Sequence, residues 1–304
     1  MKVLLLLSTY NGEKYLVEQV ESILEQMYVE VTILIRDDGS TDGTTGRIKE
    51  LQKKHANIIL EEGDNCGSAG SFIKLLNIAN SSHTDFDYYA FCDQDDVWMK
   101  DKLDSAITVL DQQNQSRPLL YMGAYQMVDA ELRPIPTQLV APKLNLPAAL
   151  AANSATGCTM LFNKCLLELL ASKRPKDIIM HDYWAYLVCL AVGGYVYYDK
   201  IPHILYRQHG NNVIGGKKDP FIKKWYVRIS KLFKKGDSFK SKLAAQLLDC
   251  YSTQMSKENV EFLSYAATCK KFSSKIRLLA NPNFRGKTLD NNIQNFGLVL
   301  TGKF

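Results

Sequence analysis

Short apolar runs alternate with helical patterns through the first third of the chain, and this alternation constrains the fold more than any other feature. Residues 3–7, 31–35, 57–60 and 88–92 read as strands. Between the first two, Leu16, Val17, Val20, Ile23, Leu24 and Met27 recur at helical spacing. Ile48 and Leu51 mark a second helix. Phe72, Leu75, Leu76 and Ile78 mark a third, and Leu103, Ile107 and Leu110 a fourth. Strands that are apolar on both faces need covering on both sides, and parallel strands need helical returns. The pattern therefore implies an α/β fold, a mostly parallel sheet flanked by helices. Further on, residues 118–129 and 156–162 read as strands, 183–192 as a helix and 194–198 as a short strand. Beyond Pro220 the pattern is helical and polar, which implies an α-helical C-terminal region.

In such sheets ligands bind beyond the carboxyl ends of the strands. Each early run is followed there by a polar, turn-forming sequence. Ser8-Thr9-Tyr10-Asn11-Gly12 follows the first and Asp37-Asp38-Gly39-Ser40-Thr41-Asp42-Gly43 the second. Asn65-Cys66-Gly67 follows the third and Asp93-Gln94-Asp95-Asp96 the fourth. The last is the sharpest chemical signal. Three carboxylates at the end of a hydrophobic strand repel one another and lose hydration unless a cation neutralises them. Mg2+ or Mn2+ takes oxygen ligands and bridges carboxylates to phosphates, so Asp93 and Asp95 are candidate ligands. The plain alternative is a solvated acidic turn capping the helix after Trp98. The loop with Asp37 and Asp38 is partly turn chemistry, with Ser40 or Thr41 as a helix cap. A carboxylate there can also accept from a base or a ribose hydroxyl.

Several function classes are excluded or weakened. The N-terminal apolar run is too short for a signal-peptide core, and no stretch approaches the ~20 apolar residues of a membrane span. Seven cysteines, with no Cys-x-x-Cys pair, signal neither a disulfide framework nor structural zinc. A cytoplasmic, reducing setting is the expectation. The formal net charge of +5 is uneven: residues 217–242 hold nine Lys and one Arg against two Asp. Phe221, Trp225 and Phe233 lie among these cations. That composition suits peripheral contact with an anionic membrane on its inner face, or a helix packed on the catalytic domain with a solvated basic face. No nucleic-acid recognition fold accompanies the charge.

The motifs after the first four strands, in this order and spacing, resemble the family 2 glycosyltransferases of the GT-A fold. The resemblance covers residues 1–215, leaving 216–304 as a helical, basic appendage. Phe91-Cys92-Asp93-Gln94-Asp95-Asp96-Val97-Trp98 and Tyr206-Arg207-Gln208-His209-Gly210-Asn211-Asn212 are similar to the rhamnosyltransferase branch. The resemblance implies a nucleotide-sugar donor, dTDP-rhamnose or a UDP-sugar, and a glycan or lipid-linked glycan acceptor. It implies that Thr9 and Asp38 contact the nucleoside, with Tyr10, Asn11, Asn65 and Gly67 in the same donor-binding set. Asp93 would meet the ribose or the metal's shell, and Asp95 would bind Mn2+ or Mg2+. An acidic residue opening a late helix serves this family as catalytic base, and Asp182 holds that place. Many relatives have Glu-Asp where this chain has His181-Asp182, which leaves the role of His181 open. An inverting transfer needs a base for the acceptor proton; the alternative for Asp182 is helix capping alone. Arg207 and His209 either reach the departing diphosphate or pair with surface acids. Thr156-Gly157-Cys158 is a tight backbone approach or a plain strand-entry turn. His55, His83 and His203 read as surface residues. A processive polysaccharide synthase would show membrane spans and a Gln-x-x-Arg-Trp motif, which are missing. A non-catalytic nucleotide-sugar-binding or membrane scaffold would not need Asp93, Asp95 and Asp182.

Overall fold

The computed structural model describes residues 1–136, 139–173, 180–209 and 238–304. Most of the basic stretch 217–242, with Phe221, Trp225 and Phe233, lies outside the described residues. So do Asn211 and Asn212.

The strands are β1 (Lys2–Thr9), β2 (Glu30–Asp37), β3 (Ile58–Glu62), β4 (Tyr88–Cys92), β5 (Val97–Trp98), β6 (Leu119–Val128), β7 (Leu161–Asn163) and β8 (Tyr195–Arg207). They form one sheet in the order β3-β2-β1-β4-β7-β6-β8-β5. The β3-β2-β1-β4 half is parallel throughout. β7 is antiparallel to both β4 and β6, while β8 is parallel to β6. The carboxyl ends of β1, β2, β3, β4, β6 and β8 therefore meet at one edge. The expected mostly parallel sheet is present, with antiparallel strands concentrated in its second half.

Helices α1 (Leu16–Leu24), α2 (Thr44–Lys54), α3 (Gly67–Ser82) and α4 (Lys102–Leu110) return the chain between the early strands. Each buries the periodic side chains named above: Leu16, Val20 and Ile23; Ile48 and Leu51; Phe72, Leu75 and Leu76; Leu103, Ile107 and Leu110. Then follow α5 (Leu146–Ala151), α6 (Lys164–Ser172) and α7 (His181–Ala191). The C-terminal helices are α8 (Phe239–Tyr251), α9 (Lys257–Ala267), α10 (Phe272–Ala280) and α11 (Leu289–Thr301). Two apolar clusters cover the two sheet faces. One, with Leu5, Ile33 and Ile35, packs against α1, α2 and α4. The other, with Leu4, Leu6 and Phe91, runs through α3 and α7 into Leu247, Leu263, Val299 and Phe304. The C-terminal helices thus share a core with the sheet.

Three expectations are corrected. Residues 156–162 are not one strand: a short 3-10 turn at Gly157–Thr159 precedes the three residues of β7. The short strand expected at 194–198 extends to Arg207, with irregular register against β6 near Gly123 and Ala124. His203 is buried, with Nδ1 3.1 Å from Asp101 and Nε2 3.6 Å from Asp199. Within the basic stretch, Lys240 turns inward. Its Nζ donates to the Ala151 carbonyl and to Asn295 Oδ1 (2.7 Å), and burial pushes its pKa down to about 7.

Candidate active site

The loops at the strand ends are laced together. Asn11 Oδ1 accepts from Thr41 N (2.8 Å), and Gly12 N donates to Thr44 Oγ1 (2.8 Å), joining the β1 loop to the β2 loop. Gln94 Oε1 accepts from Thr9 Oγ1 (2.7 Å) and Tyr10 N (2.9 Å), joining β1 to β4. Asp38 accepts from Cys66 N (3.0 Å) and pairs with Arg36, joining β2 to β3. Burial alone would raise the Asp38 pKa. The hydrogen bonds from Arg36 and Cys66 outweigh it and hold the carboxylate below its ordinary range. Gly39 turns this loop with φ +80°, a conformation that favours glycine.

These bonds divide the expected donor-binding residues. Tyr10, Asn11, Asn65 and Gly67 are exposed at the edge. Thr9 and Asp38 are buried, with their polar atoms directed to protein partners. Sequence reading missed Gln94 and Arg36. Arg36 sits inside an apolar strand, and only the fold shows that its guanidinium reaches Asp38, Ser71 Oγ (3.0 Å) and the Asp64 carbonyl (3.0 Å).

The carboxylate turn after β4 is held from below. Arg207 ends β8, is buried, and packs its guanidinium 4.5 Å from the Tyr15 ring centroid. It donates to the carbonyls of Asp95 (Nε, 2.8 Å) and Ala130 (Nη1, 2.6 Å) and pairs with Glu18. Its backbone N–H donates to Asp96 Oδ1 (3.0 Å). The guanidinium therefore braces the turn. His209 lies 2.7 Å from Asp95 Oδ2 through Nε2, beside Tyr15. The structure thus pairs Asp95, named from the turn after β4, with His209, named from a distant motif, and sets the Asp95 charge close enough to act on Asp93.

Ligand atoms of Asp93, Asp96 and Cys158 lie within 4.8 Å of one another. Burial, then the charges of Asp95 and Asp182, push the Asp93 carboxyl up to about 7. Asp96 is shifted well above its ordinary value by burial, Asp95 and Asp93, and its Oδ2 has no hydrogen-bond partner. Beneath the cluster Lys102 is buried with Nζ 3.4 Å over the Trp98 ring. Burial lowers its pKa to about 8 against the pull of Cys158, Cys92 and Asp96. Like charges this close need a cation to be ionised together.

Asp182 approaches from α7, near enough for its charge to act on Asp93. It lies in the first turn of α7, buried, where the helix dipole favours a carboxylate. Oδ2 accepts from Gly157 N (3.0 Å) and Oδ1 from Tyr183 N (2.6 Å). The turn at Gly157 is a tight approach: a Cβ there would meet His181 Nε2 at 2.8 Å and Asp182 Cβ at 3.4 Å.

His181 packs its ring 3.6 Å from Phe72 and edge-on to Phe91. Burial pushes its pKa from 6.5 down to about 4. The folded protein holds the neutral ring, whereas the unfolded chain takes up a proton below about pH 6.5. Stability from this residue is complete above pH 6.5 and lost as pH falls towards 4, by about 3 kcal/mol at most. In His181→Phe, the melting temperature should fall less between pH 6.5 and 5 than in the parent. An unchanged acid slope would remove His181 from this account.

Comparisons with known proteins give the chain's family and fold relatives. The family model described as Glycosyl transferase family 2 matches residues 5–137. The chain is 33% identical over 224 residues to a dTDP-rhamnosyl transferase of Shigella flexneri, covering 69% of this chain and 73% of that protein. It is 28% identical over 167 residues to an Escherichia coli UDP-Glc:alpha-D-GlcNAc-diphosphoundecaprenol beta-1,3-glucosyltransferase, covering 55% and 62%. Among solved structures, TarS residues 1–349 of S. aureus in complex with UDP-GlcNAc superposes with a TM-score of 0.55. The identity is 17%, covering 98% of this chain and 90% of that one.

Proposed function

This chain belongs to the family 2 glycosyltransferases, and we propose that it moves one rhamnose from dTDP-rhamnose to a hydroxyl of a glycan or lipid-linked glycan, with inversion. It is a nucleotide-sugar-dependent glycosyltransferase of the GT-A fold. The observation that carries the site assignment is the meeting of the donor loops, the Asp93-to-Asp96 turn and Asp182 at one sheet edge. Rhamnose and the thymidine nucleotide are supported by the likeness to the Shigella flexneri transferase.

The donor atoms fit a hard divalent cation. Asp93 and Asp96 offer oxygens close together, Asp96 Oδ2 is buried without a hydrogen-bond partner, and the Asp95 charge acts on both. Cys158 stays a thiol, because burial and the flanking carboxylates push its pKa well up. Oxygen donors of this kind suit Mn2+ or Mg2+; Asp95 and Asp93 would hold it, with Asp96 beside Asp93. Bound there, a cation would supply neutralising charge for the diphosphate, and no general acid would be needed at that end. Tyr10, Asn11, Asn65 and Gly67 line the nucleotide. Thr9 and Asp38 shape that surface through Gln94 and Cys66. Arg207 fixes the turn that presents Asp95. Asp182 takes the acceptor proton as the anomeric carbon is attacked.

No helix among the described residues is long and apolar enough to cross a membrane. The processive-synthase reading therefore has no support from them. The proposed location is the cytosolic side of a membrane, with the basic stretch 217–242, Lys240 excepted, as attachment segment. Thermal shift against dTDP-rhamnose, UDP-glucose and UDP-GlcNAc, with and without Mn2+, tests the donor. The expected result is the largest shift for dTDP-rhamnose with Mn2+; a larger shift with either UDP-sugar would reassign it.

A further inference from the structure

The last two helices expose an apolar face. On α11, Leu289, Ile293, Phe296 and Leu300 recur every three or four residues, one helix face, and each is at least 50% exposed. On α10, Phe272 and Ile276 are 78% and 52% exposed. Lys275 of α10 ties the helices by donating to the Leu300 carbonyl (2.7 Å). A cavity of about 310 Å³ opens between Leu279, Phe284, Ile293 and Phe296. Scattered exposed apolar residues are ordinary, but a periodic set this large marks an interaction surface.

Charge decides what fits it. Residues 268–304 hold seven Lys or Arg, and Asp290 is their one acidic residue. Lys270, Lys271 and Arg277 are exposed beside Phe272 and Ile276. The segment 217–242 is also strongly basic, so it is electrostatically unsuited to cover this face. An extended anionic surface attracts both. Periodic apolar side chains with flanking cations are the composition of an interfacial helix.

We propose that the α10–α11 face seats on an anionic bilayer, its apolar side chains entering the boundary between headgroups and acyl chains. This deepens the peripheral location proposed above and rests on it. The attachment has two parts: the basic stretch 217–242, Lys240 excepted, supplies charge, and this face supplies insertion.

The test is co-sedimentation of the full chain with phosphatidylglycerol–phosphatidylcholine vesicles and with pure phosphatidylcholine vesicles. The parent should bind the anionic vesicles. Ile293→Glu with Phe296→Glu should weaken that binding about tenfold or more, because each change places a charge in the apolar boundary. Both sites are exposed, so the melting temperature and donor-induced thermal shift should persist. Ile293→Ser with Phe296→Ser should show a smaller loss in the same direction. Replacing Lys223, Lys224, Lys234 and Lys235 by Glu tests the other segment. If the apolar-face variants bind fully while the charge variant does not, the location stands and this face is wrongly assigned. If none of the variants changes binding, both fall. If the parent is a dimer that Ile293→Glu with Phe296→Glu splits, with vesicle binding unchanged, the face is an interface between copies and the proposal is overturned.

Discussion

Asp95→Asn is expected to abolish sugar transfer and to leave the metal-free protein at least as stable as the parent. Asp95 is half-buried, with Oδ2 2.7 Å from His209 Nε2 and its carbonyl bonded to Arg207. Asparagine keeps the shape and the carbonyl bond but removes the charge. Loss of a charged cation ligand costs several kcal/mol of transition-state stabilisation, which at ~1.4 kcal/mol per decade is about 10³-fold or more in rate. The stability sign is opposite. The Asp95 charge helps to raise both Asp93 and Asp96. Removing it relieves repulsion in the cluster. A side chain with a purely structural role would lose stability and activity together. Turnover assays with and without Mn2+, beside thermal melts with chelator, separate the two. Full activity in excess chelator would remove the cation from the account.

Asp182→Asn is expected to lower kcat by ~10²–10⁴-fold, the range for general-base catalysis, with little change in donor affinity. Asp182 accepts from Gly157 N and Tyr183 N. The asparagine oxygen keeps one of these bonds and its amide faces the other donor. The structural cost is therefore about 1–3 kcal/mol of stability, which a thermal melt reads separately from turnover. Thermal shift with dTDP-rhamnose reports donor binding independently of chemistry. A variant that keeps most of its turnover would leave Asp182 as a helix-capping and turn-holding residue.

The elements that form the candidate site were legible in sequence wherever a strand end carried its own polar motif. β4 runs from Tyr88 to Cys92 as expected, and the motifs after the first four strands arrive at one edge because a parallel sheet places them there. Helix periodicity named the buried faces of the early helices for the same local reason. What sequence did not show depends on partners distant in the chain. Arg36 is explained by Asp38 and Asp64, and Gln94 by Thr9 and Tyr10. Nothing in the sequence marks Lys102, whose amine lies over Trp98 beside Asp96. His203 reads as a surface residue because nothing nearby announces Asp101. Arg207 was named, but its direction was not: its guanidinium braces the Asp95 turn through carbonyls and Glu18. The expected strand at 156–162 failed because Gly157 N is taken by Asp182 and Met160 N by the Gly157 carbonyl, which closes a turn instead.

The most direct measurement is mass spectrometry of a bacterial membrane glycolipid fraction incubated with the protein, dTDP-rhamnose and Mn2+. A product heavier by one deoxyhexose residue should form with the parent chain. It should be lost with chelator, with Asp95→Asn and with Asp182→Asn. Equal product with the parent and both variants would contradict the assignment of these carboxylates to the reaction.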